Sequence, residues 1–275
     1  MNETARPVPS YRKPPIIEAV WSVQCSELVW LLPPHIGLFW SRIRDQFAAC
    51  QEQPPIAHVT ETEDVFRPPV EHAELLSIPP LTRQWFMSAS GNELIQLQRD
   101  RICCNWRKVK PEDVYPRYEH MRQLFCQAWD TFCSFVQEQG QAPPVVDQCE
   151  MTYINHIDQG QGWDSVAQVG QVFPTVTWVG QRAFLPSPRT IGARFAFDVP
   201  ELRGRLHVSL RHGLRKEEAS ERQEVLLLEL TARGLPVQTD SAGLLSWYAV
   251  ARETIVRGFT DLTTSTMHKL WERER

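Results

Sequence analysis

The sequence has no run of eighteen or more consecutive apolar residues, and its most apolar stretch, residues 28–40, is broken by Pro33, Pro34 and His35. No segment offers the continuous hydrocarbon length of a membrane-spanning helix, so no membrane partner is expected. Residues 1–11 are polar and proline-bearing, without the apolar stretch of a secretory signal or a lipidation motif, and the compartment expected is the cytoplasm. The seven cysteines are odd in number and form no C-x-x-C pair. A disulfide framework and a zinc ribbon are therefore not indicated, and the cysteines read as small hydrophobes. No G-x-S-x-G, Walker loop, G-x-G-x-x-G, H-E-x-x-H or kinase signature occurs, so no cofactor is expected. The segment Gln159-Gly160-Gln161-Gly162 lacks a third glycine at the dinucleotide spacing and reads as a turn.

What remains is a chain of 275 residues, 42% hydrophobic and 23% charged, with a formal charge of -4. That balance belongs to a folded domain, or two of ordinary size, and does not favour a surface that tracks nucleic acid throughout. Residues 1–13 read as a solvated tail. Residues 16–24 alternate in the manner of a strand, and Pro33-Pro34 opens a helix over 35–49. A strand is expected near 56–66, followed by an acidic, proline-rich loop. Strands over 83–88 and 94–109 flank the turn Ser90-Gly91-Asn92. Residues 116–139 carry Tyr118, Met121, Phe125, Ala128, Phe132 and Phe135 at helical spacing. Then come a strand over 145–157, a short helix over 163–172, strands over 191–199, 206–210 and 223–232, a long helix from Ser241 and a short one capped by Thr264.

This order is that of an α+β protein in which a β-α-β-β-β-α unit occurs twice, as residues 14–140 and 141–275, with long helices on one face of antiparallel sheet. Three sequence matches support the duplication. Pro14-Pro15-Ile16-Ile17-Glu18 matches Pro143-Pro144-Val145-Val146-Asp147, residues 93–98 match 224–229, and Phe132 and Phe135 match Phe259 and Leu262.

Three groups of residues are candidate sites. Arg99 and Arg101 on one strand would share a face about 7 Å apart and could clamp an anion, the alternative being cross-strand ion pairing on a solvated face. Tyr153, Asn155 and His156 could bind a ligand, with Asn155 orienting it and His156 carrying a proton, or could form a structural pair. Glu150, on the face of His156, is about 20 Å from it and too far to serve as its acid/base partner. A run of eight basic residues (Arg182, Arg189, Arg194, Arg203, Arg205, Arg211, Arg215, Lys216) faces only Asp198 and Glu201. With Arg99, Arg101, Arg107, Lys108 and Lys110 it could form a basic face, and Trp106 could stack on a base. The alternative is charge that guards hairpin edges. His207 and His212 fall on opposite strand faces, so no metal site is expected.

The segments Lys13-Pro14-Pro15-Ile16-Ile17-Glu18-Ala19-Val20, Gln96-Leu97-Gln98-Arg99-Asp100-Arg101 with Asn105-Trp106, and Thr152-Tyr153-Ile154-Asn155-His156-Ile157, with the C-terminal stretch 251–264, resemble an uncharacterised, sporadically distributed prokaryotic family. The resemblance implies one full-length unit, accessory to a mobile or defence-like gene cassette, and assigns no residue a role. The function expected is a non-catalytic binding or adaptor subunit that engages a partner protein or an anionic ligand through a sheet face or the groove between the halves. The alternatives are a sequence-tolerant nucleic-acid binder and an enzyme with an Arg/Asn/His pocket.

Overall fold

A computed structural model of the chain describes residues 7–61, 81–178, 184–216 and 222–275. Residues 56–61, the described part of the strand expected over 56–66, form no strand. Residues 62–66, the acidic and proline-rich positions (Glu63, Asp64, Pro68, Pro69, Glu71, Glu74, Pro79, Pro80) and Arg182 lie outside the described residues.

Alternation builds the centre of the fold. In β1 (Ile16–Cys25) Ala19, Trp21 and Val23 point to one face and are fully buried, while Val20, Ser22 and Gln24 point to the other. Pro33 and Pro34 start α1 (Pro33–Ile43), which is followed by β2 (Ala49–Gln53), β3 (Arg83–Met87), β4 (Glu93–Gln98), β5 (Arg101–Arg107) and α2 (Arg117–Glu138). Next come β6 (Val146–Asp158), a 3-10 turn (Val166–Gln171), β7 (Gly192–Val199), β8 (Gly204–Lys216) and β9 (Arg222–Gly234). The chain then forms α3 (Ser241–Leu262) and α4 (Ser265–Leu270). Asp240 caps α3 by accepting from the Gly243 N–H at 2.8 Å, and Thr264 caps α4.

The nine strands among the described residues form one antiparallel sheet in the order β2-β3-β4-β5-β1-β6-β9-β8-β7. Read outward from the β1/β6 pair, the order is β5, β4, β3, β2 on one side and β9, β8, β7 on the other. The 22-residue helices α2 and α3 pack on the same face. Trp21 is the keystone. Its ring stacks on Tyr248 of α3 at 4.6 Å and lies 5.2 and 5.5 Å from Tyr118 and Phe125 of α2.

The structure departs from the sequence expectations in four further places. The strand expected over 94–109 is a hairpin. Gln98 pairs with Arg101, and Arg99 and Asp100 make the turn, fixed by the Gln98 amide donating to Asp100 Oδ1 at 2.5 Å. No glycine or proline marks that turn, so alternation alone runs through it. Second, α1 ends at Ile43, and residues 49–53 become the edge strand β2, giving the first half one strand more than the second.

Third, the N-terminal segment is docked from Ser10 onward. Tyr11 is 5% exposed and bridges to Arg273, and Arg12 and Lys13 pair with Glu272. Fourth, the sequence matches between halves do not keep equivalent places. Val145, set opposite buried Ile16, is 64% exposed, and the strand beside the centre that corresponds to β9 is β5, not β4.

Candidate functional site

A cavity of about 340 Å³ lies between α2, α3, β1, β6 and the docked N-terminal segment. Its walls are mostly aromatic and aliphatic. Tyr115 and Tyr153 meet there, hydroxyl to hydroxyl at 3.1 Å, with Tyr118, Ile255 and Phe259 alongside. Burial pushes the Tyr115 and Tyr153 hydroxyls upward in pKa, so both stay protonated at neutral pH.

The guanidinium groups of Arg117 and Arg252 project into these walls, and Glu274 and Arg275 also line the cavity. Arg117, the first residue of α2, has φ 75°, a left-handed conformation unusual for arginine, and donates to the carbonyls of Tyr11 (2.8 Å) and Arg12 (3.1 Å). Arg252 of α3 lies over the Tyr118 ring at 4.8 Å, and among the described residues no carboxylate pairs with it. A half-buried cation against a ring gains from the quadrupole but keeps its donors open.

The face of the sheet opposite the helices is polar. Gln24, Gln96, Gln98, Arg101, Asn105, Gln148, Thr152 and Thr231 are buried there. Residues 54–61 cross it as a strap, read through its backbone by glutamine side chains. Gln98 bonds both N–H and C=O of Ile56 at 2.9 Å, Gln24 bonds both groups of Val59, and Gln148 accepts from the Glu61 N–H at 2.8 Å. Glu61 ends the strap between His207 (2.6 Å), Arg205 (2.9 Å) and Arg233 (3.4 Å).

Burial raises the Glu61 pKa, but the His207 hydrogen bond and the two arginines outweigh it and hold the carboxyl below its ordinary 4.5. A lowered folded value means the stabilisation is complete above 4.5 and fades as pH falls from there through the folded value. Glu61→Gln is expected to remove about 1–3 kcal/mol at pH 7 and progressively less as the pH falls below 4.5. Chemical denaturation over a series of pH values checks this, and a loss that does not change with pH would contradict it.

The sequence candidates separate in space. Tyr153 and Asn155 line the cavity, where Asn155 is 4% exposed and donates to the Leu228 carbonyl at 3.2 Å. His156 points to the opposite face, and burial lowers its pKa. Arg101 also lies on the polar face, buried, and donates to Gln24, whereas Arg99 sits in the turn and reaches the Leu31 carbonyl at 3.3 Å. The two arginines therefore cannot form the expected clamp on one strand face.

Trp106 is 3% exposed on the helix face, edge-on to Tyr115, and cannot stack on a base. Lys108, Arg194, Arg203 and Arg211 are exposed, Arg107 is half-buried over the Trp85 ring, and Arg205 is paired with Glu61 and Asp198. His207 bonds Glu61 and His212 bonds Glu224, on opposite faces. Sequence reasoning missed Arg252. The available signal was a lone arginine inside the apolar arc of Tyr248, Ala251, Ile255 and Phe259. Compared with protein-family models, curated proteins and solved structures, the chain matches none.

Proposed function

We propose that the protein is a non-catalytic binding protein whose cavity takes a small amphipathic anion, with a carboxylate or phosphate on Arg252 and an apolar or aromatic body against Tyr118, Ile255 and Phe259. The observation that carries this reading is a guanidinium without a carboxylate partner in an aromatic-walled cavity, since a half-buried cation is stabilised best by an anion that brings hydrogen-bond acceptors. Tyr153 and Asn155 belong to the site. Asn155 shapes the floor, and the Tyr115–Tyr153 hydroxyl pair offers a polar contact beside the anion. His156, Arg99 and Arg101 have no part in it.

The test is a thermal-shift titration with phenyl phosphate, indole-3-acetate and hexanoate. At least one is expected to raise Tm with concentration in the wild type, Arg252→Ala is expected to weaken that ligand roughly 10-fold or more, and Arg252→Lys to recover part of the loss. No shift with any of the three, or an equal shift in Arg252→Ala, would overturn the reading.

The protein is further read as an internally duplicated chain, a reading supported by the mirrored strand order about β1/β6 and the equal lengths of α2 and α3. As an accessory subunit in the cytoplasm it would present the bound anion, or the surface around it, to a partner protein. The nucleic-acid reading is less favoured, because the cations of the polar face alternate with Glu18, Glu150, Glu229 and Asp198 and its stacking residue is in the core.

A further inference from the structure

A second cavity, of about 360 Å³, opens on the polar face beside Ile56 of the strap. Arg83, Arg101 and Arg107 all line it. Arg83 sits one residue beyond the Gln84–Leu97 pair and Arg101 opposite Gln98, so the two arginines share a row of the sheet two strands apart, about 10 Å between backbones, with the Arg101 guanidinium reaching toward Gln24, Ala57 and Glu150.

Three carboxylates, Glu18, Glu150 and Glu229, also line the cavity, but among the described residues only Glu150 comes within 4 Å of one of the arginines. Among the described residues Arg83 and Arg107 have no carboxylate partner, and both lie over the Trp85 ring, at 5.5 and 5.2 Å. Arg101 is 4% exposed, its closest carboxylate is Glu150 at 3.7 Å, and its Nε has no hydrogen-bond partner. Burial lowers the Arg83 pKa, Cys103 and Glu18 oppose that, and the Arg101 charge adds to it. An orphaned buried guanidinium donor is uncommon, and its natural complement is a multi-oxygen anion.

The other end of the cavity accepts hydrogen bonds. Arg83 (2.7 Å) and Trp85 Nε1 (2.9 Å) donate to Gln96 Oε1, Gln96 donates to Asn105 Oδ1 at 2.6 Å, and Asn105 donates to Glu18 Oε1 at 2.7 Å. Every amide in this relay points the same way, and it ends on the carboxyl of Glu18, whose Oε2 has no hydrogen bond from a described residue. Such a cavity, cationic at one end and hydroxyl-accepting at the other, fits a ligand that is an anion at one end and a polyol at the other.

We propose that this cavity binds a sugar phosphate, its phosphoryl group between Arg83 and Arg101 and its hydroxyls at Glu18. This site lies on the opposite face of the sheet from the Arg252 cavity and stands independently of it. Calorimetric titration of the full chain with ribose 5-phosphate, ribose and inorganic phosphate tests it.

Ribose 5-phosphate is expected to bind the wild type, with inorganic phosphate competing more weakly and ribose alone silent. Arg83→Ala is expected to weaken ribose 5-phosphate roughly 10-fold or more, Glu18→Gln to weaken it without changing inorganic phosphate, and Arg252→Ala to leave it unchanged. Arg83→Lys, which keeps the charge, covers the case in which Arg83→Ala fails to fold, and is expected to weaken binding less. Absence of ribose 5-phosphate binding at millimolar concentration would overturn the proposal, as would unchanged affinity in both Arg83 variants.

Discussion

Trp21→Ala is expected to remove about 3–5 kcal/mol of stability, the loss typical of deleting a fully buried large aromatic side chain. The position explains the size. Trp21 is fully buried on the central strand, stacked on Tyr248 and flanked by Tyr118 and Phe125, so its ring couples α2 and α3 to the sheet at once. The cavity left behind could not collapse easily, because Tyr248 is tied to the Ser22 carbonyl at 2.8 Å. For a chain of this size the loss corresponds to a fall in Tm of about 6–20 °C. Calorimetry checks it, and a fall of only a degree or two would mean that the two helices do not depend on this contact.

Gly204→Ala is the second large effect. Gly204 pairs with Gly234 where β8 leaves the turn made by Arg203, a residue with φ 50°. A Cβ on Gly204 would stand 1.9 Å from the Arg233 carbonyl oxygen and 2.6 Å from Gly234 Cα, both backbone atoms that cannot rotate away. The strands would have to separate at the point where the Trp247 indole donates to the Leu202 carbonyl at 3.1 Å. A loss of about 3 kcal/mol or more is expected, at the upper end of overpacking substitutions. Gly213→Ala, on the same strand with open space around its Cβ position, is the control and is expected to change stability by less than about 0.5 kcal/mol. Equal losses in the two variants would contradict the steric explanation.

The sequence made the architecture legible wherever periodicity and punctuation agreed. The α+β class, α2 with its stripe of Met121, Phe125, Phe132 and Phe135, and the cap Thr264 follow from spacing and proline or threonine signals. The faces of β6 were also legible, because alternation sends Tyr153 and Asn155 one way and His156 the other. The failures share one cause, since alternation does not report where a strand ends or what covers it. Gln98 and Asp100 close a turn through their own side chains, so Arg99 and Arg101 seemed to lie on one strand. Trp106 sits among charged neighbours in sequence, yet its parity sends it to the core beside Tyr115.

The candidate site was legible only in part for a related reason. Tyr153 and Asn155 come from a strand, Tyr115 from a loop and Arg252 from a helix about a hundred residues beyond Tyr153, and the packing of α2 and α3 on the sheet brings them together. The strap gave no signal either, because the amide contacts of Gln24, Gln98 and Gln148 recognise backbone rather than side chains.

The most direct measurement is a crystal of the protein soaked in bromide, with anomalous diffraction recorded at the bromine edge. A bromide ion is expected within about 3.5 Å of the Arg252 guanidinium, facing the Tyr115–Tyr153 pair, as an uncompensated donor in a cavity should attract a simple anion. Arg252 turned out of the cavity and paired with a protein carboxylate, with no anomalous density at its guanidinium, would contradict the proposed binding site.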